Sequence, residues 1–195
     1  MTYVEAGHFG QIALPTNGIA SWPYSVANYV SRRLTTFDQG SGIALEDDCT
    51  RSEQTLRQKR LQDIQIMMSG ASMHLPKGFT SGLNNQFANM MADDAWEEGD
   101  ELPSLRSLKA FLLMLITTGA THRPGIGTNG GGSISAFWRD GQNRLTVDCL
   151  PSGTIRWVLT RENENGEIER AAAECHPARL RDVLNPFRPE VWFGQ

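Results

Sequence analysis

A glycine-rich stretch, Gly125–Gly132, is the part of this sequence whose residue types and spacing could do chemistry. Its first six residues, Gly-Ile-Gly-Thr-Asn-Gly, match G-x-G-x-x-G, the pattern of loops that hold dinucleotide phosphates. In such sites a strand precedes the loop and a helix follows it, so that free N–H groups and the positive end of the helix face the anion. Here a helical pattern precedes the glycines, and residues 134–138 alternate as in a strand. We therefore interpret the stretch as a connector from a helix to a strand.

Nucleotide binding at the glycines remains an alternative hypothesis. A P-loop would end in Gly-Lys-Ser/Thr, but this chain has Gly131-Gly132-Ser133 and no lysine there. A nucleotide-binding enzyme built on Gly125–Gly132 would use that loop together with Arg123 and Arg144.

The histidines and cysteines predict neither a metal centre nor a catalytic nucleophile. Zinc sites usually show close pairs such as C-x2-C, whereas the only close pair here is the adjacent Cys175-His176. Cys149 falls on an apolar strand face, which favours a small buried thiol. The chain has no G-x-S-x-G, although sequence spacing does not test a triad assembled in space. We predict no catalytic residue, no cofactor and no metal site.

Composition places the chain among ordinary soluble globular proteins of the cytoplasm. The 195 residues carry a formal net charge of −4, which argues against non-specific binding to nucleic acid. Three scattered cysteines suit a reducing compartment. No apolar run approaches the roughly 20 residues of a membrane span, and the first residues do not resemble a signal peptide. The acidic runs 46–48 and 93–101 are interpreted as solvated faces, with imitation of a phosphate backbone as the alternative.

The first 118 residues predict an arm followed by helices. Residues 1–20 have no period and read as the arm, and a helix over 23–36 follows. A capping box at residues 50–53 starts a helix that runs to about residue 68 and ends at Gly70. A second helix is predicted over 80–96. A third is expected to start at Pro103-Ser104, with an apolar stripe of five residues: Leu105, Leu108, Leu112, Leu115 and Ile116.

After residue 119 the apolar period changes from about 3.6 residues to two, which predicts an antiparallel meander. Strands are expected around 134–138, 145–149 and 155–159, with a fourth around 167–171 and a short helix beginning near Pro177. The fold class is therefore α+β: N-terminal helices packed with a three- to four-stranded antiparallel meander and a short C-terminal helix. We divide the chain into an N-terminal arm and helix (1–49), a helical region (50–118), and the sheet with its C-terminal helix and tail (119–195).

The outward face of the meander is the candidate binding surface. Strand alternation should place on it Ser133, Ser135, Phe137, Arg144, Thr146, Asp148 and Arg156. Arginine and aromatic side chains are the usual anchors of protein interfaces, although the Arg/Asp pairs could be no more than surface ion contacts. The tail adds Trp192 and Phe193, which must be buried on this fold or on another chain. We predict that Phe137, Arg144, Asp148, Arg156, Trp192 and Phe193 contact a partner.

Residues 103–184 resemble a group of small bacterial proteins found in mobile-element, toxin–antitoxin and phage-defence loci. The resemblance rests on Gly131-Gly132-x-Ile134 with Trp138, on the strand Leu145–Cys149, and on a Ser-Gly turn before a strand centred on Trp157. It covers about two-fifths of the chain and includes no catalytic motif.

The expected function is therefore non-catalytic binding of another protein. An antitoxin, a subunit of a defence complex, or an inhibitor of a prokaryotic defence complex would fit. The alternatives are the nucleotide-binding enzyme described above and a nucleic-acid-binding protein that uses the outward sheet face.

Overall fold

The structure, a computed structural model, describes residues 49–92, 96, 99–163 and 166–194. The predicted arm, the helix predicted over 23–36 and the acidic run 46–48 lie outside the described residues. Within those ranges, no helix has both the length and the apolar character needed to cross a membrane.

Helix α1 (Cys49–Ala71) confirms the helix predicted over 51–68. It continues one residue past Gly70, the predicted stop, and passes into a single 3-10 turn at Ser72–His74. Ile64 and Met68 are fully buried on its inner side. Their spacing of four residues places both on one face of the helix, which explains why that face packs against the core.

Helix α2 (Phe79–Met90) is shorter than the predicted helix over 80–96. The Trp96 indole N–H donates to the carbonyl oxygen of Met90 (2.8 Å), one of the acceptors that a helix end leaves without a partner. The side chain expected to extend the helix thus folds back and caps it. Within α2, the buried Phe87 ring meets the Phe111 ring edge to face, with 6.1 Å between centroids.

Helix α3 (Leu105–Thr118) starts directly after Pro103-Ser104, as predicted, and ends just before residue 119, where the apolar period changes. The Ser104 hydroxyl accepts the N–H of Ser107 (3.0 Å), so Ser104 is the N-cap. Gly119 ends the helix in the left-handed region, with φ 64°. The helix lies against the sheet and buries Leu108, Ala110, Phe111, Leu112, Met114 and Leu115.

Five antiparallel strands form one sheet in chain order: β1 (Gly125–Gly127), β2 (Ile134–Asp140), β3 (Asn143–Cys149), β4 (Ile155–Glu162) and β5 (Ile168–Cys175). The three predicted strands and the possible fourth are confirmed, and β1 is additional. The inner face carries the core, with Ile134, Ala136, Trp138, Leu145, Val147, Cys149, Ile155, Trp157 and Leu159 all buried. The fold class is α+β, with the helices packed on one side of the sheet.

The chain ends in two short helices joined by 3-10 turns. A 3-10 turn at Pro177–Arg179 leads into α4 (Leu180–Val183), which confirms the short helix expected near Pro177. Helix α5 (Glu190–Phe193) closes the described chain. Leu180, Leu184, Trp192 and Phe193 extend the core beside α3 and β2.

Candidate interaction surface

Three cross-strand rows make up the outer face of the sheet, which is defined here by twelve residues. The register places Ser135, Asp148, Arg156 and Glu174 in a polar row. The next row, the apolar row, holds Phe137, Thr146, Val158 and Ala172. The basic row holds Arg139, Arg144, Thr160 and Arg170. Four of the predicted contact residues, Phe137, Arg144, Asp148 and Arg156, therefore lie together on this outer face.

Asp148 organises the polar row. Its Oδ1 accepts the Ser135 hydroxyl at 2.6 Å, and its Oδ2 lies 3.6 Å from Arg156 Nη2. Arg156 is largely exposed, so this ion pair contributes less than about 1 kcal/mol to stability. The Asp148 carboxylate is better understood as holding the Arg156 guanidinium in place on the surface.

The apolar row exposes two large side chains. Phe137 is 40% exposed and Val158 is 43% exposed. The Phe137 ring lies over Gly125, where any Cβ would overlap it, and the Arg144 guanidinium carbon lies 5.9 Å from its centroid. Arg144 Nε also donates to Thr146 Oγ1 at 3.2 Å. The aromatic ring is thus supported from below by a glycine and from one side by an arginine, and it is held in place before any partner arrives.

The basic row places two like charges directly opposite each other. Arg139 on β2 pairs with Arg144 on β3, and Arg170 on β5 lies beyond Thr160 in the same row. Like charges in direct cross-strand register destabilise a sheet. Across the described ranges, no carboxylate lies close enough to any of these three arginines to form an ion pair. An anion supplied from outside would relieve this repulsion.

Sequence reasoning missed Arg139 and Arg170 as members of this surface. Arg139 lies two residues after Phe137 on β2, so the alternation of the strand could have placed it on the same face. Arg170 could not be placed because the register of β5 against β4 is needed to align it with Thr160.

The predicted partner contacts of Trp192 and Phe193 are corrected by their burial in this chain. Phe193 is fully buried, and its ring meets Trp138 edge to face with 5.1 Å between centroids. Its carbonyl oxygen accepts the N–H of Thr121 (2.6 Å) and the Thr121 hydroxyl (3.1 Å). Trp192 is likewise buried. The tail is a part of the core, so neither side chain belongs to a binding surface.

The glycine stretch is a turn between two antiparallel strands rather than a helix-to-strand connector. Residues 125–127 form β1 and pair with β2, which begins at Ile134. Between them, side chains occupy two of the amides: Gly130 N–H donates to Thr128 Oγ1 (3.3 Å), and Gly131 N–H donates to Asn129 Oδ1 (3.0 Å). The dinucleotide arrangement is absent from this described segment, since a strand and not a helix follows the loop.

This turn holds the segment that leads into α3. Glu101 N–H donates to the carbonyl oxygen of Gly130 (2.6 Å), and Ser104 N–H donates to that of Gly132 (2.8 Å). The buried Ser107 hydroxyl donates to the same Gly132 oxygen at 2.9 Å. The carboxylates of Asp100 and Glu101 border the glycines, which opposes a phosphate by charge.

One outward assignment near the turn changes, and the structure also places Arg123. Ser133, expected on the outward face, is buried and donates to Asn129 Oδ1 at 2.5 Å. Arg123, the other residue of the nucleotide hypothesis, packs its guanidinium where a side chain at Gly82 of α2 would stand. The missing side chain at Gly82 therefore leaves room for the Arg123 side chain to pack against the backbone of α2.

The thiols fit structural roles. Cys149 is fully buried, as predicted, and burial, followed by the Asp148 charge, raises its pKa far above the usual range. Burial also raises the pKa of the half-buried Cys175 from 9.0 to about 11, with Glu174 adding to the rise and Arg179 opposing it. Among described residues, no group of three or more His, Cys, Asp or Glu side chains is placed to hold a metal ion.

Cys149 and Cys175 should be alkylated more slowly than ordinary exposed cysteines. The thiolate is the reactive form, so a raised pKa lowers the rate at every pH below that value. We expect iodoacetamide to modify Cys175 with a midpoint near pH 11, as its pKa indicates, and to spare Cys149 until the protein unfolds. Peptide mapping by mass spectrometry gives the rate at each site. Modification of Cys149 in the native protein as fast as in urea would contradict its burial.

Comparisons with family models, with curated proteins and with solved structures find no match to this chain.

Proposed function

We propose that this protein is a non-catalytic binding protein that docks another protein on the outer face of its sheet. An antitoxin, a subunit of a prokaryotic defence complex or an inhibitor of such a complex fits this description, and the resemblance of residues 103–184 supports that context. The observation that carries the proposal is the opposition of Arg139 and Arg144 beside the exposed Phe137 and Val158. The two arginines repel each other in the free protein, and acidic side chains of a partner would remove that cost.

The chemistry of the face indicates the chemistry of its partner. Arginine binds carboxylates through a planar, bidentate contact, and aromatic side chains anchor the desolvated centre of an interface. Phe137 and Val158 lie in one row and the arginines in the next, so the complementary segment carries an apolar side chain beside one or more carboxylates. Because Phe137 and Arg144 already contact each other, little side-chain freedom is lost when the partner docks.

A nucleic-acid strand is the second candidate for the same face. The outer face carries four arginines against two carboxylates, although the whole chain has a net charge of −4. An arginine next to an aromatic ring is also a feature of single-strand binding surfaces. Phe137 is the only aromatic among the twelve outer-face residues, whereas such surfaces stack successive bases on several rings. Binding to nucleic acid would weaken steeply with salt.

Quantitative affinity purification with the full-length protein tests the proposal. We expect Phe137→Ala and Arg144→Ala each to lower the affinity for the partner about 30-fold, which is equivalent to about 2 kcal/mol for an interface hot spot. Arg144 is exposed, so Arg144→Ala should leave the melting temperature nearly unchanged. Phe137 is 40% exposed and packs on Gly125, so Phe137→Ala should also lower the melting temperature by about 2–5 °C. Arg106→Ala is the matched control, because Arg106 is also exposed but lies on α3.

The purification is run from lysate of the native host with and without nuclease treatment. A partner retained after nuclease, lost with both outer-face variants and kept by Arg106→Ala supports the proposal. Loss of all bound protein after nuclease treatment would assign the face to nucleic acid instead. If the wild type and both outer-face variants recover equal amounts of the partner, the proposal that the outer face binds it is overturned.

A further inference from the structure

Strand β5 leaves one long edge of the sheet without a partner in the part of the chain that the structure describes. It is the last strand in the order β1 to β5 and pairs only with β4. Over its eight residues, Ile-Glu-Arg-Ala-Ala-Ala-Glu-Cys, it contains no proline and no lysine, and its charged residues are Glu169, Arg170 and Glu174. The opposite edge, β1, is only three residues long. An eight-residue edge with unpaired backbone groups is a template for a second strand whose charges complement its own.

We propose that two copies of this chain associate through antiparallel pairing of their β5 strands, centred on Ala172. A two-fold axis at Ala172 places Arg170 of each copy directly opposite Glu174 of the second copy. Both side chains are exposed and belong to the outer face, so two opposite-charge pairs form on the same side of the joined sheet. The result is a continuous ten-stranded sheet whose outer faces adjoin.

The charges select this register over its neighbours. Centring on Arg170 or on Glu174 would put two like charges on the axis, and like charges in that position destabilise the pair. Centring on Ala171 would put Arg170 opposite Ala172 and Glu174 opposite Ile168, and centring on Ala173 would put Glu174 opposite Ala172 and Arg170 opposite His176. Neither register joins opposite charges. A slip of one residue would turn the outer face of one copy toward the inner face of the other. Only the register centred on Ala172 joins opposite charges and keeps the faces aligned.

The side chains around the axis also permit close approach. In this register Ala172 faces itself, and Ala171 faces Ala173 of the second copy, so three small residues occupy the centre of the junction. Glu169 is already paired with Arg161 of β4, with Nε and Oε2 2.6 Å apart, and is not needed for the junction. Thr154 donates to Glu174 Oε1 at 2.7 Å, which leaves Oε2 for the second copy's arginine.

The test is the oligomeric state of the full chain across a concentration series, measured by sedimentation equilibrium. We expect the wild type to approach twice the chain mass of 21.6 kDa. Arg170→Glu and Glu174→Arg each replace two attractive contacts by two repulsive ones, so each should raise the dissociation constant about tenfold or more. The double variant restores opposite charges and should return the constant to near the wild-type value. Arg144→Glu, on the same face but two strands away, is the control and should leave it unchanged.

A wild type that stays monomeric at its highest soluble concentration would overturn the proposal. A dimer that tolerates both single variants, or that the double variant fails to restore, would overturn this register. Circular dichroism of each variant verifies that the sheet is intact, and Ala172→Cys supplies a second readout. Its thiols would meet on the two-fold axis, so oxidation should yield a dimer linked through position 172, and the absence of that crosslink would also count against the register. None of these outcomes depends on whether Phe137 and Arg144 bind a partner.

Discussion

Replacing Phe193 by alanine is expected to lower the free energy of unfolding by about 3–5 kcal/mol. The side chain is fully buried, and its ring packs edge to face on Trp138 with an interplanar angle of 88°. Truncation removes the apolar area of a whole ring and leaves a cavity between α5 and β2 that fixed neighbours cannot fill. For a domain of this size the melting temperature should fall by about 10 °C.

Val191→Ala in the same short helix is the matched control. Val191 is 38% exposed, so its truncation should cost less than about 1 kcal/mol. Urea unfolding followed by tryptophan fluorescence gives both values. Equal effects from the two variants would contradict the assignment of Phe193 to the core, and would reopen the prediction that the tail meets a partner.

The regular elements were predictable because their apolar periods are strong and their ends carry clear signals. α3 has an N-cap serine and a glycine just past its end, and both agree with the structure. Of the five residues of its predicted stripe, Leu108, Leu112 and Leu115 are buried, whereas Leu105 and Ile116 are partly buried. The three central strands alternate without a break, and tight turns at Gly141 (φ 59°) and Gly153 (φ 90°) separate them. Where local preferences and the hydrophobic pattern agree, the sequence alone is sufficient.

The remaining elements depend on tertiary contacts that no local pattern shows. β1 has two glycines among its three residues and therefore no side-chain period, and it becomes visible only through its pairing with β2. α2 ends early because Trp96 folds back from six residues away. An apolar tail would be expected whether it packs on this fold or on a partner. The contact between Phe193 and Trp138 shows that it packs on this fold.

The candidate surface also has a part that the sequence predicts and a part that depends on the folded sheet. Strand alternation was enough to place Phe137, Arg144, Asp148 and Arg156 on one face. It could not show that Arg139 stands directly opposite Arg144, because cross-strand register depends on the turn at 140–143 as well as on parity. The candidate residues could therefore be predicted from the sequence. The like-charge pair on which the proposed function depends could be found only from the register of the folded sheet.

Gly130→Val should destabilise the protein by about 2 kcal/mol, within the range for a strained backbone position. Gly130 has φ 72°, a conformation that a β-branched residue adopts only with strain. A Cβ there would also overlap the Asp100 carboxylate, and the Gly130 carbonyl accepts the Glu101 N–H that ties residues 99–104 to the turn. The substitution therefore acts on the approach to α3, and the effect is structural.

Substitutions at two other glycines separate the effect of backbone strain from the effect of crowding. Gly153 has φ 90°, and no atom lies within 4 Å of the position that a Cβ would take, so Gly153→Val measures backbone strain alone. Gly70 lies in α1 with neither a positive φ nor a close neighbour, so Gly70→Val should cost nothing. We expect the loss of stability to rise from Gly70 through Gly153 to Gly130, because only the last position combines strain with crowding.

The same variants test the nucleotide hypothesis against the structural role of the turn. Side chains occupy two of the loop amides and carboxylates border the glycines, so ATP, GTP and NAD should leave the melting temperature of the wild type unchanged. A saturable rise in the wild-type melting temperature that Gly130→Val abolishes and Gly153→Val keeps would reverse this conclusion. It would mean that the turn opens to admit a phosphate, and that Gly125–Gly132 is a ligand site rather than the support of α3.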